Sequence, residues 1–182
     1  VFHPCILPQG VALDYRTSTI VPLGDLYKWE IYQLAKYINK IHGNEMIPQE
    51  IIDIVPSAEL SSKQNVTKGR GDPILYPYHD KLMRAFIEFR RDPEYILDLY
   101  QNRKLEEVLM IKKGLTNKYF PTASTFIADL EHKWKLFKNN NFKRIQAPPI
   151  ITISRRAFGF ELRESQNGVY FTEKYRKLKE LF

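Results

Sequence analysis

The feature that most constrains this chain is one amphipathic helix pattern bracketed by two proline-led segments. Pro22-Leu23-Gly24-Asp25-Leu26-Tyr27-Lys28 precedes it and Pro56-Ser57-Ala58-Glu59-Leu60 comes after it. Tyr27, Ile31, Leu34, Ala35, Ile38 and Ile41 recur at helical spacing on one stripe, which has to lie against a core. Asp25 has the side chain of an N-cap, and Gly43 has the conformational freedom of a helix stop. With Asp25 as cap, Lys28 stands at the third helical position, where the helix dipole disfavours a cation. Two readings of Lys28 are open. Its ammonium and the first-turn N–H groups together hold an anion, as helix N-termini hold phosphate, or it is a surface lysine snorkelling past the core.

With 43% hydrophobic and 27% charged residues, 182 residues suffice for one core, so a single domain over 1–182 is expected. No apolar run approaches the roughly 18 residues of a membrane span, and no basic segment leads into an apolar one at the start. The lone Cys5 excludes an internal disulfide and suits a reducing compartment, so the expected location is cytoplasmic. A net charge of +7 favours anionic ligands, whether nucleotides, nucleic acid or an anionic membrane surface. Basic residues alternate with acids except at Arg155-Arg156 and at Lys174, Arg176, Lys177 and Lys179. That scatter suits small anionic substrates as well as nucleic acid. The histidines, His3, His42, His79 and His132, share no metal-ligand spacing, no cysteine–histidine pair suggests a thiol nucleophile, and no Walker-type glycine loop appears.

Residues 1–7 and 18–23 are short β-branched runs of the kind buried in parallel sheets. Residues 49–55 read as a helical turn leading to a strand that ends at Pro56. Beyond it, helices are expected over 79–91, 93–102, 104–112, 122–139 and 172–181, with an extended segment at 150–153. Phe86, Phe89, Tyr95, Tyr100, Phe126, Trp134 and Phe137 recur on these helices and are assigned to the core. Ser57 has two readings, a cap for the segment after Pro56 or a hydroxyl at a strand end, where open α/β sheets bind ligands. Residues 61–73, rich in serine, asparagine and glycine, read as a mobile active-site flap that contains Gln64 and lies just after Glu59.

After the two proline-led segments come, in order, Gln64-Asn65-Val66, Gly71-Asp72-Pro73, Tyr76-Pro77-Tyr78-His79-Asp80, Lys143-Arg144-Ile145-Gln146-Ala147-Pro148-Pro149 and Ser154-Arg155-Arg156-Ala157-Phe158-Gly159. Together these blocks, within 13–166, resemble the synthetase domain of NAD synthetases, and the C-terminal part is similar to glutamine-dependent members. The resemblance implies a doubly wound parallel α/β sheet of the adenine-nucleotide-alpha-hydrolase (ATP pyrophosphatase) type with C-terminal helices, of which this chain holds a mostly helical portion. It implies ATP and magnesium, deamido-NAD with ammonia or glutamine as substrates, and a homo-oligomer that engages neither membrane nor nucleic acid. At matching positions Lys28 and Ser57 would bind ATP, Lys143 and Arg144 would bind deamido-NAD, and Glu59 and Gln64 would belong to the flap. Glu59 and His79-Asp80 have motif membership without a mechanism, and no catalytic group is assigned.

The sequence also departs from the family pattern. Asp14 replaces the glycine of the segment matching Leu13 to Thr17, the family's metal-binding glutamate aligns with Gly10, and 18–21 is too short for the usual glycine- and aspartate-bearing loop. The serine-glycine-glycine-x-aspartate-serine loop that holds pyrophosphate is absent from the sequence, as is a glutaminase with catalytic cysteine, lysine and glutamate. The expectation is the C-terminal portion of an NAD synthetase domain, with metal ligands outside this chain and no competence alone. The alternative is a basic nucleic-acid-binding or non-catalytic interaction module.

Overall fold

In the computed structural model, residues 22–54, 56, 68, 71, 74–140, 149–153 and 167–182 are described, and they form eight helices. Helix α1 spans Lys28–His42. Its N-cap is Tyr27 rather than Asp25, and the Glu30 carboxylate reaches back to accept the Tyr27 N–H at 2.9 Å. That is the return half of a capping box. Asp25 is buried instead and accepts the Ile153 N–H at 2.8 Å, so it joins two distant segments rather than starting a helix. Pro22 and Leu23, expected at the end of a strand, lie in a turn closed by the Leu26 N–H on the Leu23 carbonyl. Gly43 ends α1 at φ 66°, the left-handed conformation a glycine stop supplies. Of the α1 stripe, Tyr27 and Ala35 are buried, Ile31 and Ile38 half-buried, and Leu34 and Ile41 exposed.

Helix α2 is short, Gln49–Asp53. Helix α3, Tyr76–Ile87, begins three residues earlier than the sequence pattern suggests, with Pro77 in its first turn, where a missing N–H costs nothing. It is the central helix. Tyr78, Leu82, Met83, Ala85 and Phe86 are all essentially inaccessible, which at about 1.5–3 kcal/mol for each large apolar side chain makes α3 a major source of burial energy. Helix α4, Pro93–Gln101, starts where Asp92 accepts the Tyr95 N–H at 3.1 Å. Helix α5 covers only Leu105–Val108, because Met110 turns to φ 56° and ends it. Helix α6, Leu115–Tyr119, has too few residues to show a period in the sequence. It is tied to α5 by Glu106, whose carboxylate accepts the N–H groups of Gly114 and Thr116, each at 2.7 Å.

Helix α7, Ala123–Asn139, begins after the cap Thr122, which accepts the Thr125 N–H at 3.2 Å. Helix α8, Glu173–Lys179, begins after Thr172 and packs against α4, with the Thr172 hydroxyl donating to Glu94 at 2.6 Å. Ring contacts fill the space between. Tyr100 stacks on Phe126 at 3.9 Å between centroids, and Phe86 meets Trp134 edge-on at 5.0 Å. Phe89 is a correction to the assigned core: it is 50% exposed, because α3 stops before it and the chain turns away through Arg90 at φ 51°. Of the segment 150–153, expected to be extended, only Ile150 forms an isolated bridge, and 151–153 have no regular secondary structure. The strands expected at 1–7 and 18–21 lie outside the described residues.

Candidate functional site

Helix α3 grips the first turn of α1 at two points. Asp80 Oδ2 accepts the Trp29 N–H at 3.0 Å, and the Lys81 ammonium lies 3.5 Å from the centre of a Trp29 ring. The Trp29 N–H is one of the donors that a helix start leaves unpaired, so a carboxylate distant in sequence performs the capping. Asp80 is 1% exposed, and burial pushes its pKa up to about 7. The Trp29 N–H, Lys81 and Lys28 favour its ionised form, and Glu30 opposes it.

Lys28 is the first residue of α1, not the third. Its side chain is half-buried and its ammonium stands 5.3 Å from the centre of the Tyr32 ring. Since Glu30 holds the Tyr27 N–H and Asp80 holds the Trp29 N–H, carboxylates already occupy two donors of the first turn. The backbone share of the anticipated anion site is therefore reduced, and any anion there would meet chiefly the Lys28 ammonium. Tyr32 also lines a cleft of about 470 Å³ walled by Trp29, Ile52, Ile74, Tyr76 and Tyr119. Asp53 also stands in the cleft wall, and Lys28 is not among the lining residues but approaches the cleft through the Tyr32 ring; the aromatic, mostly apolar lining suits a flat ring.

His79 ties α3 to α7. Its Nδ1 accepts the Leu75 N–H at 2.9 Å, and its Nε2 lies 3.0 and 3.2 Å from the two carboxylate oxygens of Asp129. Because Nδ1 is an acceptor, Nε2 carries the proton and donates to Asp129, leaving a neutral ring. Burial lowers the His79 pKa, against the raising effect of the Asp129 hydrogen bond. The Tyr76 to Asp80 motif thus has a structural account that no spacing in the sequence supplies. His79 and Asp80 project from adjacent positions of α3 to partners on different helices.

Of the expected site residues the structure places Lys28. Ser57, Glu59, Gln64, Lys143 and Arg144 lie outside the described residues. Among the described residues no group of three or more histidine, cysteine, aspartate or glutamate side chains is arranged to hold a metal ion. No described helix is long and apolar enough to cross a membrane.

The glutamine-dependent NAD(+) synthetase of Xanthomonas campestris pv. campestris (strain 8004) is 34% identical over 143 residues, covering 78% of this chain and 21% of that protein. The NH(3)-dependent NAD(+) synthetase of Wolinella succinogenes is 38% identical over 114 residues, covering 63% of this chain and 40% of that protein. The glutamine-dependent NAD(+) synthetase of Thermotoga maritima is 31% identical over 143 residues, 76% of this chain and 19% of that protein. The chain thus spans between about a fifth and two fifths of the length of these relatives. No solved structure matches it. The family profile for NAD synthase matches residues 15–136, more than half of the 182 residues and inclusive of Lys28, His79 and Asp80, so the chain belongs to the NAD synthase family.

Proposed function

We propose that this chain is the C-terminal portion of an NAD synthetase domain and serves NAD biosynthesis. In the reaction, a carboxylate oxygen of the nicotinate ring of deamido-NAD attacks the α-phosphorus of ATP and pyrophosphate leaves, giving an acyl adenylate. Ammonia, free or released from glutamine elsewhere, then attacks the acyl carbon, and AMP leaves with the electrons of the broken C–O bond. Such a step needs positive charge placed at the phosphates. The observation that carries the reading is Lys28 at the start of α1, inside the family match and beside Tyr32, which lines an aromatic cleft.

In this reading Lys28 faces the ATP phosphates and Ser57 the nucleotide, Lys143 and Arg144 bind deamido-NAD, and Glu59 and Gln64 belong to the flap. Magnesium would neutralise phosphate charge when bound, with its ligands supplied from outside this chain. The complete unit is a doubly wound parallel sheet of the adenine-nucleotide-alpha-hydrolase type, and the helices α3–α8 are its C-terminal part. Exposed Tyr37, Ile41 and Ile51 offer apolar surface to a homo-oligomer. The lone Cys5 fits a cytoplasmic setting.

The test is NAD formation from deamido-NAD, ATP and ammonia by the 182-residue chain and by a chain restored with its upstream half. The restored protein is expected to turn over and the 182-residue chain is not, since it lacks the pyrophosphate loop. Steady turnover by the shorter chain overturns the division of labour, and a restored protein without activity overturns the function. Release of glutamate from glutamine by the 182-residue chain alone would assign it to a different domain.

A further inference from the structure

The residues on either side of Lys28 are fixed, and two of the fixing groups, Asp80 and Lys81, come from another helix. The Tyr27 ring is buried and its N–H is held by Glu30, while the Trp29 N–H is held by Asp80 and its ring by the Lys81 ammonium. Asp80 is the group that sets the backbone of this turn against α3, and so sets the direction in which the Lys28 side chain leaves over Tyr32. It lies behind the turn, 1% exposed, and does not line the cleft. A buried carboxylate is costly where a neutral amide would cap the helix equally well. An amide at this position would keep the bond to the Trp29 N–H, so the positioning role requires the backbone anchor rather than the charge.

We propose that Asp80 is a positioning residue for Lys28: it anchors the first turn of α1 from α3 so that the Lys28 ammonium is presented to the ATP phosphates without Asp80 touching substrate. The proposal rests on Lys28 being a phosphate ligand, and the experiment separates the two. KM for ATP, KM for deamido-NAD and kcat are measured in the complete enzyme for Lys28→Ala, Asp80→Ala, Asp80→Asn and the double variant of Lys28→Ala with Asp80→Ala.

Asp80→Ala is expected to raise KM for ATP by about fivefold or more, with KM for deamido-NAD changed less than about twofold. In the Lys28→Ala background the same substitution should change KM for ATP by less than about twofold, because there is no ammonium left to misplace. Asp80→Asn, whose amide oxygen keeps the Trp29 N–H, should recover most of the affinity. An equal loss in both backgrounds makes Asp80 a general support and overturns the proposal. An unchanged KM in Asp80→Ala, beside a clear loss in Lys28→Ala, overturns it while the Lys28 reading stands. Lys28→Ala without effect overturns the Lys28 reading, and the positioning role with it. If Asp80→Ala does not fold, Asp80→Glu, which displaces the contact by one methylene, is compared across the same two backgrounds by the same criteria.

Discussion

His79 and Asp129 face each other across the α3–α7 interface with Nε2 3.0 Å from the nearer carboxylate oxygen, while the far nitrogen of the same ring receives the Leu75 N–H. Protonating the ring would set Nδ1–H against the Leu75 N–H, so the fold requires the neutral form. The ring's pKa is lowered by burial, and an unfolded chain therefore takes up the proton first as pH falls. The site's contribution to stability is complete above about pH 6.5 and is lost as pH drops below it toward the folded-state value. His79→Ala leaves a partly buried carboxylate and a backbone N–H without this partner and should cost about 1–3 kcal/mol in urea unfolding near neutral pH. It should also flatten the acid slope. A variant that loses less than about 0.5 kcal/mol would show that the tie does not hold the helices together.

Asp80 works in the opposite sense. Its folded-state pKa of about 7 lies above the ordinary 3.8, so the native protein keeps a proton that the unfolded chain has released. The stability it contributes is complete below the ordinary value and declines as pH rises toward 7, by up to about 1.4 kcal/mol per pH unit. Asp80→Asn retains the acceptor for the Trp29 N–H but cannot ionise. Its stability relative to the parent should therefore improve between about pH 5 and about pH 7, with His79 and every other titrating group cancelling in the difference. A difference that stays constant across that interval removes Asp80 from the titrating groups.

A side chain at Gly24 would crowd Ile150. A Cβ built there stands 3.0 Å from three side-chain carbons of Ile150, and the segment carrying Ile150 is tethered by the Asp25 bond to the Ile153 N–H. Gly24→Ala should therefore displace Ile150 and cost about 1–2 kcal/mol through overpacking. Combining it with Ile150→Val, which removes one of the crowded carbons, should recover part of the loss. Thermal unfolding of the parent, both single variants and the pair measures the coupling, and strict additivity would mean that the two positions do not meet.

The sequence makes legible those features that are decided locally. The starts of α4, α7 and α8 stand beside Asp92, Thr122 and Thr172, whose side chains accept N–H groups three residues on. The starts of α1 and α3 are set at a distance and differ from the local pattern: Asp80 reaches 51 residues back to Trp29, and the Leu75 N–H bonds to His79, which is itself anchored on Asp129. The capping potential of Asp25 is real but directed to Ile153. At the site, Lys28 stands out in the sequence because its cationic charge at a helix start and its motif lie in one short segment, although the structure places it at the first helical position and not the third. The roles of His79 and Asp80 are not, because each depends on a partner about fifty residues away that no spacing rule connects.

Lys28 separates the two readings of the α1 terminus. If its ammonium meets ATP phosphate, Lys28→Ala removes a charge-assisted contact worth about 1.5–3 kcal/mol. At 1.36 kcal/mol per decade, that is a fall of roughly tenfold to 150-fold in ATP-dependent rate in the complete enzyme. Stability should respond little. Removing a cation from a helix N-terminus gains about 0.3–1 kcal/mol, while losing the approach to the Tyr32 ring costs about 0.5–1 kcal/mol. The attraction to Asp80 is lost as well, so the net change should stay within about 1 kcal/mol. A lysine that only snorkels past the core predicts intact turnover at the same near-constant melting temperature. A packing role predicts a large drop in melting temperature, with any loss of rate arising from unfolding. Kinetics and thermal unfolding measured on the same Lys28→Ala protein therefore decide: rate lost at constant stability assigns Lys28 to the phosphates, and rate retained removes it from the site.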